Sequence, residues 1–433
     1  MEDYLYYPGK TASKGSKIFR AILRPSPMKS LKKKVINKNP FEKKTKNGFQ
    51  KKSILEIKKT PEKKRDKYLD YIKGFACLMM LFAHFPQGDF LGLKNFFGSF
   101  APFLFFACTG ISSGLALRRK DKFWGLVFLY FVFFLFSLSC NFMRRPGELA
   151  NFQNPFLNFD FFQIIAIGSI FSLFLHRFRF TLRGALLTFA FILGIHFLNK
   201  FFLFSFGQKI LFSPGIFTIF PWLAFFVLGF IYSKLKDNFL FFLNLALAIF
   251  VIFYFYLCQG DFLLPDFSKW NMNTNYLLLG IASWSFSFSF FRILEKENFN
   301  LSFLGTLGKY SMIFVYAHFF IQNLLHSYEL YYIDLPDIKT FLWGTVFSVS
   351  FTALLALSFD IFNKNFRLRN PLKFFTLAFF LPFLPFLHNE LFITVYYFLF
   401  GVLFSVKFRE ISNQIFIFAG NMRKKLAPAK IKI

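Results

Sequence analysis

Three titratable residues lie in an otherwise apolar segment, "YLDYIKGFACLMMLFAHF" at residues 68–85. They are Asp70, Lys73 and His84. Lys73 and His84 are eleven residues apart. Along an α-helix this spacing is a rotation only about 20° beyond three full turns. The two side chains are therefore predicted to share one helix face, about 16 Å apart along the axis. Asp70 lies one turn before Lys73, a spacing at which the two charges can pair.

A cation and an imidazole on one face have complementary uses in chemistry. Lys73 could bind anionic groups of a donor substrate, and His84 could act as a general base that removes a proton from an acceptor. The alternative is that Asp70 and Lys73 extend to the lipid head groups while His84 ends the helix. A basic group inside an apolar segment usually faces a cavity, which favours a functional role for His84.

The elements that must position these residues are predicted from the composition. Apolar residues make up 55% of the 433-residue chain and aromatic residues 23%, and long uncharged runs exceed what a soluble core shows. The 78 phenylalanines are typical of an A/T-rich coding sequence and are assigned no function. The sequence predicts an all-α, polytopic integral membrane protein with twelve transmembrane helices. The predicted spans are 69–86, 96–117, 123–142, 159–175, 184–204, 214–233, 239–258, 275–291, 310–327, 340–361, 373–388 and 390–406.

The distribution of basic residues predicts the topology. Loops assigned to the cytoplasm are basic, as in "RRKDK" at 118–122, whereas loops assigned outside, such as 258–270, are poor in base. Both termini are therefore predicted to be cytoplasmic, in a multi-pass protein of the inner (cytoplasmic) membrane. The predicted domains are a disordered basic tail at 1–65, a membrane domain at 66–408 and a basic tail at 409–433.

The net charge of +30 and the cysteines argue against nucleic-acid binding and against a metal site. About half of the charge lies in the N-terminal tail, which has no apolar period and is predicted to bind anionic membrane lipids rather than nucleic acid. The four cysteines are far apart and form no Cys-x-x-Cys pair. They are predicted to be packed thiols, and no metal site is expected.

Several polar residues in the later spans are secondary candidates. Gln163 lies in "FFQIIAIGSIFSLFL" and His318 follows Ser311 by two helical turns in "LGKYSMIFVYAHFF". A buried structural role is the stronger interpretation of His318 from the residues alone. His176 and His196 fall at span ends and are interpreted as interfacial.

Five segments, in this order, resemble the bacterial relatives of heparan-alpha-glucosaminide N-acetyltransferase, a family related to the acyltransferase-3 superfamily. The first span is similar to the family's opening signature of an aspartate, an Arg-Gly pair and an apolar run that ends in histidine: here Asp70, "KG" at 73–74 and His84. The other four segments are "APFLFFACTGIS" at 101–112, "FQIIAIGS" at 162–169, "FPWLAFFVLGF" at 220–230 and "LGKYSMIFVYAHF" at 307–319. This chain has Lys73 where the family has arginine. A lysine keeps the charge but lacks the bidentate hydrogen bonds of a guanidinium to phosphate or carboxylate.

The resemblance implies transfer of an acyl group, usually acetyl from acetyl-CoA, to a hydroxyl or amine of a sugar or glycolipid. His84 and Asp70 would then be catalytic, and Lys73, with Arg118 and Arg119 of the basic loop, would bind the donor. A transporter or flippase is the main alternative, because twelve spans with both termini inside is a common carrier arrangement. The sequence has neither a long central loop nor similarity between two halves, which are the features that would support a transporter. A catalytically inactive family member is the third interpretation.

Overall fold

The computed structural model describes most of the predicted membrane domain. Residues 64–433 form one unit by their contacts, and the predicted tail 1–65 lies outside the described residues. Arg118 and Arg119 also lie outside them. The described residues are 66–84, 93–117, 123–144, 160–202, 210–212, 217–257, 272, 274–327, 346–347, 349–355, 357–358, 361, 368, 370–383 and 389–426.

All regular elements in these ranges are helical, which confirms the all-α prediction. Helices α1 to α6 are Lys67–His84, Leu93–Ala116, Phe123–Arg144, Phe161–Arg177, Leu182–Phe202 and Ile219–Tyr232. Helices α7 to α12 are Asp237–Leu257, Thr274–Lys296, Ser302–Lys309, Ser311–Ser327, Pro371–Phe380 and Glu390–Leu426, with a 3-10 turn at Leu381–Phe383. Further helical residues lie between 346 and 361.

Four of the described segments are long and apolar enough to cross a membrane. They are Phe123–Arg144, Leu182–Lys200, Tyr276–Lys296 and Glu390–Asn421. Shorter apolar helices cover parts of five other predicted spans: Phe100–Ala116, Phe161–Arg177, Ile219–Tyr232, Phe239–Phe250 and Pro371–Phe380. The structure thus supports four spanning helices directly. The total of twelve spans stays a prediction.

Helices α2 and α6 lie at the centre of the bundle and approach each other through glycine. α2 packs against α1, α4, α6 and α8, and α6 also packs against α4 and α5. A Cβ atom at Gly110 of α2 would overlap the carbonyl of Phe226, and one at Gly229 of α6 would overlap the carbonyl of Ala107. Because each glycine faces the backbone of the other helix, neither helix can move away locally to admit a side chain.

Gly229→Ala is expected to destabilise the bundle. The new methyl group would meet backbone atoms rather than a flexible side chain, and overpacking of this kind costs about 1–3 kcal/mol or more. Gly194→Ala is the matched control, because a Cβ there meets nothing within 4 Å and alanine favours the helix. Melting temperature in detergent should fall for Gly229→Ala and stay equal or rise for Gly194→Ala. Equal melting temperatures would show that the α2–α6 interface is looser than described.

At five further glycines, the space beside the glycine is filled by an aromatic ring from another helix. Three of these rings belong to phenylalanines. At five glycines an added Cβ would fall inside the ring of a residue on another helix. Each glycine therefore leaves the space that one ring occupies. The pairs are Gly114 with His176, Gly125 with Phe416, Gly168 with Phe226, Gly280 with Phe103, and Gly401 with Tyr316.

Helix α1 begins at a fixed position beside α8 and α9. The amide groups of Lys67 and Tyr68 donate to the carboxylate of Glu295, at 2.9 and 3.4 Å, so Glu295 caps the start of α1 from the end of α8. A Cβ atom at Gly74 would overlap the Leu304 carbonyl, and one at Gly308 would overlap the Asp70 carbonyl. Helix α9 therefore runs antiparallel to the first turns of α1.

Helix α12 is longer than the predicted twelfth span, which ended at residue 406. It continues to Leu426, and both Ile411 and Ile415 are completely buried. Lys407, also buried, pairs with Glu410 at 2.9 Å. The helix continues because these residues pack against α3, where the ring of Phe416 fills the space at Gly125.

Candidate functional site

A partly buried ion pair joins the end of α3 to the start of α4. The Arg144 guanidinium lies 2.5 Å from Oδ2 of Asp160. Asp160 is the N-cap of α4: its Oδ1 accepts from the amide of Phe161 at 2.6 Å, and its own amide donates to Oε1 of Gln163 at 2.7 Å. This is a capping box. The carboxylate is therefore stabilised by both a guanidinium and a helix N-terminus.

His318 lies beside this ion pair on α10. Its side chain is completely buried, and its ring centroid is 4.1 Å from that of Phe319. The Arg144 guanidinium lies over the same Phe319 ring, 4.2 Å from its centroid. His318 and Arg144 therefore both contact the Phe319 ring, which places the imidazole next to the ion pair.

The hydrogen bond of His318 sets its tautomer. Nδ1 lies 3.1 Å from the carbonyl oxygen of Phe314. A carbonyl only accepts, so Nδ1 carries the hydrogen and Nε2 is the basic nitrogen of the neutral ring. A histidine in this state can accept a hydrogen bond at Nε2.

Hydroxyl groups extend the same region toward α12. The Tyr316 hydroxyl and Oγ of Ser139 are 2.9 Å apart, and the Tyr316 ring stacks on Phe162 at 5.3 Å. The other face of Tyr316 occupies the space at Gly401 of α12. We call the following residues the polar cluster: Ser139, Arg144, Asp160, Gln163, Tyr316 and His318.

Two further hydrogen bonds hold the end of α3 in place. The carbonyl of Met143 accepts from Nδ2 of Asn323 at 2.9 Å and from the Thr394 hydroxyl at 3.4 Å. Helices α3, α4, α10 and α12 thus converge on the polar cluster, and Arg144 is anchored by the residue before it.

One member of the polar cluster has an unused donor. Gln163 is 1% exposed, and its Nε2 has no hydrogen-bond partner among the described residues. Buried amide donors are nearly always satisfied by protein, water or ligand. Gln163 therefore offers a hydrogen bond to an oxygen atom that enters the cluster.

The residues predicted on α1 occupy different environments. Asp70 is buried and Lys73 is half-buried. His84 is the last residue of α1, and its side chain lies outside the described residues. Helix α1 is continuous from Lys67 to His84, which is the condition for Lys73 and His84 to share a face.

The remaining candidates divide between the cluster and other places. Gln163 and His318 belong to the polar cluster, whereas Ser311 is the half-buried first residue of α10. His176 and His196 were predicted to be interfacial; both have hydrogen-bond partners within the bundle, and their depth in the membrane stays a prediction. Nε2 of His176 donates to the Gly110 carbonyl at 3.0 Å, and Nε2 of the completely buried His196 donates to the Met272 carbonyl at 3.0 Å. These two rings connect helices inside the bundle.

Sequence reasoning missed Arg144, which fell in the predicted loop 143–158, and Asp160, which fell at the start of the predicted span 159–175. A signal for Asp160 was present: "DFFQ" at 160–163 places glutamine three residues after aspartate, just before an apolar run. The partner of Asp160 had no comparable signal.

Comparison of the whole chain with protein-family models, curated proteins and solved structures found no match. The described residues contain no group of three or more side chains with metal-ligand chemistry.

Proposed function

We propose that the protein is a membrane-embedded acyltransferase that moves an acyl group, in the simplest case acetyl, from acyl-CoA to a hydroxyl or amine of a sugar or glycolipid. The observation that carries the proposal is the polar cluster, in which a guanidinium, a carboxylate and a basic imidazole nitrogen lie together inside an apolar bundle. Ionisable residues inside a membrane bundle are functional-site candidates by default, and a buried ion pair is weak evidence for a stabilising role.

Exposed apolar side chains support a position in the membrane. Leu187 and Phe191 of α5 are 72% and 67% exposed, and the outer face of α7 is similarly apolar, with Phe241 and Phe242 more than half exposed. Contiguous apolar faces of this kind are rare on soluble monomers. Lipid is the environment in which they are stable.

Contacts between helix ends support the proposed topology of twelve spans with both termini cytoplasmic. Glu295 at the end of α8 caps the start of α1, and both ends are assigned to the cytoplasm. His196 and Lys200 near the end of α5 both donate to the Met272 carbonyl, just before α8, and both places are assigned outside. In each case the contact joins residues that the topology puts on one side.

The same contacts relate His84 to the polar cluster. Helix α9 returns antiparallel to α1 as far as Asp70 and Gly308, so α10 starts at the same end of the bundle as α1. The two helices pack together. The end of α1, with His84, and the second half of α10, with Asn323, are therefore assigned to the opposite, outer end, and His318 lies near the middle of α10. Acyl-CoA would enter from the cytoplasm beside Lys73 and extend toward His84.

The proposed reaction is a direct transfer. His84 takes the proton from the acceptor hydroxyl or amine, whose oxygen or nitrogen attacks the thioester carbonyl carbon. The carbon–sulfur bond breaks, and the imidazolium returns the proton to the leaving CoA thiolate. In the polar cluster Arg144 and Gln163 donate to acceptor oxygens, and the cluster orients the acceptor for attack.

Membranes that contain the protein should transfer label from radiolabelled acetyl-CoA to a glycolipid or polysaccharide fraction. Membranes that lack the protein are the baseline. A protein present at normal levels that transfers no label to any fraction, but moves a lipid or solute across vesicles, would contradict the proposal and favour the transporter.

Lys73→Ala is expected to raise the KM for acetyl-CoA with little change in kcat, because Lys73 is assigned to donor binding and not to the proton transfer. The loss of one charged hydrogen bond corresponds to about 1.5–3 kcal/mol of binding, or roughly 10- to 150-fold in KM. Lys73→Arg should leave activity equal or better, since the guanidinium supplies two-pronged hydrogen bonds to phosphate. A fall in kcat at unchanged KM in Lys73→Ala would assign the lysine to the chemical step instead.

A further inference from the structure

A cavity of about 410 Å³ opens on the side of the bundle between α1, α7 and α8. Its volume lies in the range of about 300–1,000 Å³ that is typical of ligand sites. Most of its wall is apolar, with Phe75 and Met79 from α1, Leu247 from α7 and Leu279 from α8, and none of the described residues in its lining is charged. Phe286 also lines the cavity and is 68% exposed, so the cavity opens on the outer surface of α8.

The surface next to this opening is apolar. Ala248 of α7 lines the cavity and is itself exposed. Leu245 and Ile249, within one turn of Ala248, are at least half exposed, and Phe290 of α8 is exposed as well. Such a surface is stable against lipid rather than water. A ligand of this cavity therefore enters from the bilayer and carries an apolar chain.

One amide in the cavity wall is held in a fixed orientation. The Tyr232 hydroxyl donates to Oγ of Ser285 at 2.5 Å, Ser285 donates to Oδ1 of Asn244, and Nδ2 of Asn244 donates to Oγ of Ser289. An amide nitrogen has two hydrogens, and the described hydrogen bonds use one of them. Asn244 lines the cavity, so its second hydrogen can be donated to a ligand.

This amide lies near one end of the cavity. Asn244 bonds to both Ser285 and Ser289, so it lies level with Ser287, which also lines the cavity. Leu279 is about 12 Å farther along α8, and the wall between them is mainly apolar. In the proposed topology Ser287 lies about 6 Å inside the cytoplasmic end of the predicted span 275–291, close to the depth of the ester groups of glycerolipids. The apolar part extends from there toward the middle of the membrane.

We propose that this cavity binds one ester-linked acyl chain of a glycerolipid from the cytoplasmic leaflet. The ester carbonyl oxygen accepts a hydrogen bond from Nδ2 of Asn244, and the chain lies along Leu247 and Met79 toward Leu279. A carbonyl oxygen only accepts, which matches the second amide hydrogen. The inference rests on the proposed topology but does not require that the protein transfers acyl groups.

The test compares two lipids that differ only in the carbonyl. The full chain is placed in nanodiscs of ether-linked phosphatidylcholine, and a photoreactive phosphatidylcholine probe is added with either an ester-linked or an ether-linked chain. Mass spectrometry measures the crosslink to residues 279–290 at increasing mole fractions of probe, without acyl-CoA. The ester probe should reach half-saturation at a mole fraction about two- to tenfold lower, the contribution of one hydrogen bond. The shared head group removes any effect of charge from the comparison.

Asn244→Leu tests the donor. Leucine has a similar size but no hydrogen to donate, so the two probes should reach half-saturation at the same mole fraction. The ratio between the probes within one variant does not depend on a general loss of stability. Asn323→Leu is the matched control, because it removes an amide of α10 that donates to the Met143 carbonyl and does not line the cavity. It should keep the preference for the ester.

A second pair of variants tests the apolar part by volume. Ala248→Phe places a ring in the cavity, which Ala248 lines, and should reduce the crosslink at saturation. Ala246→Phe adds the same ring two residues away on α7, outside the cavity lining, and should not. Melting temperatures of all variants verify that they fold.

Three results would overturn the inference. Equal binding of the ester and ether probes is the first, and an ester preference that survives in Asn244→Leu is the second. The third is a crosslink that Ala248→Phe leaves intact, which would place the lipid outside the cavity. Because the readout is lipid contact alone, a protein that shows the ester preference but transfers no acyl group would refute only the proposed function.

Discussion

His84→Ala is expected to lower the turnover number for acyl transfer by about 10²- to 10⁴-fold, the usual contribution of a general base. His84 lies at the end of a continuous helix that also carries Lys73. The donor would bind near Lys73 and present its thioester toward the other end of that helix. Without the imidazole, the acceptor hydroxyl must lose its proton to water, and the attack on the thioester becomes slow.

The control for His84→Ala must damage the same helix without removing a base. Met80→Ala serves this purpose, because Met80 is buried one turn earlier on α1 and its truncation costs about 2–5 kcal/mol of stability. Met80→Ala should lower the amount of protein in the membrane but leave the turnover per molecule near that of the parent. His84→Ala should show the reverse pattern.

His318 provides the competing assignment for the base. If His84→Ala retains near-normal turnover at matched protein levels while His318→Gln loses it, the proton transfer belongs to α10. In the described tautomer Nε2 of His318 carries the lone pair, so it is the atom that would take the proton from the acceptor. The comparison of the two variants therefore decides which helix carries the base.

The positions of the helices were predictable from sequence because hydropathy is a local property. Their ends were less so. Helix α12 passes its predicted end at 406 because Ile411 and Ile415 are buried, yet they lie among charged and polar residues such as Arg409 and Glu410. Helix α9, Ser302–Lys309, was not predicted at all. It is too short to appear as a span, and its place is fixed by contact with α1 at Gly308.

The candidate site was predictable only in part, and for a similar reason. Gln163 and His318 stood out because each is a polar residue inside an apolar segment. Arg144 and Asp160 did not, since Arg144 lies in the predicted loop 143–158 and Asp160 at the start of the predicted span 159–175, and charged residues are ordinary at both places. What makes them unusual is their burial against α10. That burial depends on how α3, α4 and α10 pack, which no local pattern in the sequence specifies.

Arg144→Met is expected to destabilise the protein by about 3–5 kcal/mol, because it leaves the Asp160 carboxylate buried without its cation, and to lower kcat/KM by roughly 10- to 150-fold, because a charged contact to the acceptor is lost. Asp160→Asn is expected to disturb the N-terminus of α4 only slightly. Asparagine is as good an N-cap as aspartate, so the amide of Phe161 keeps an acceptor while the negative charge is removed. This single variant still leaves the Arg144 guanidinium without its partner and should also be less stable than the parent.

The double variant, Arg144→Met with Asp160→Asn, separates a structural role of the ion pair from a functional one. Removing both charges together eliminates the unpaired buried charge, so the melting temperature in detergent should recover toward that of the parent, as in other buried pairs that are replaced as a unit. Transfer activity should not recover, because Arg144 is proposed to hold the acceptor and its hydrogen-bond donors are gone. A double variant that regains both stability and normal turnover would show that the pair only joins α3 to α4. Recovery of stability with a loss of roughly 10- to 150-fold in kcat/KM, as expected for a missing charged contact to substrate, would place the acceptor at the polar cluster.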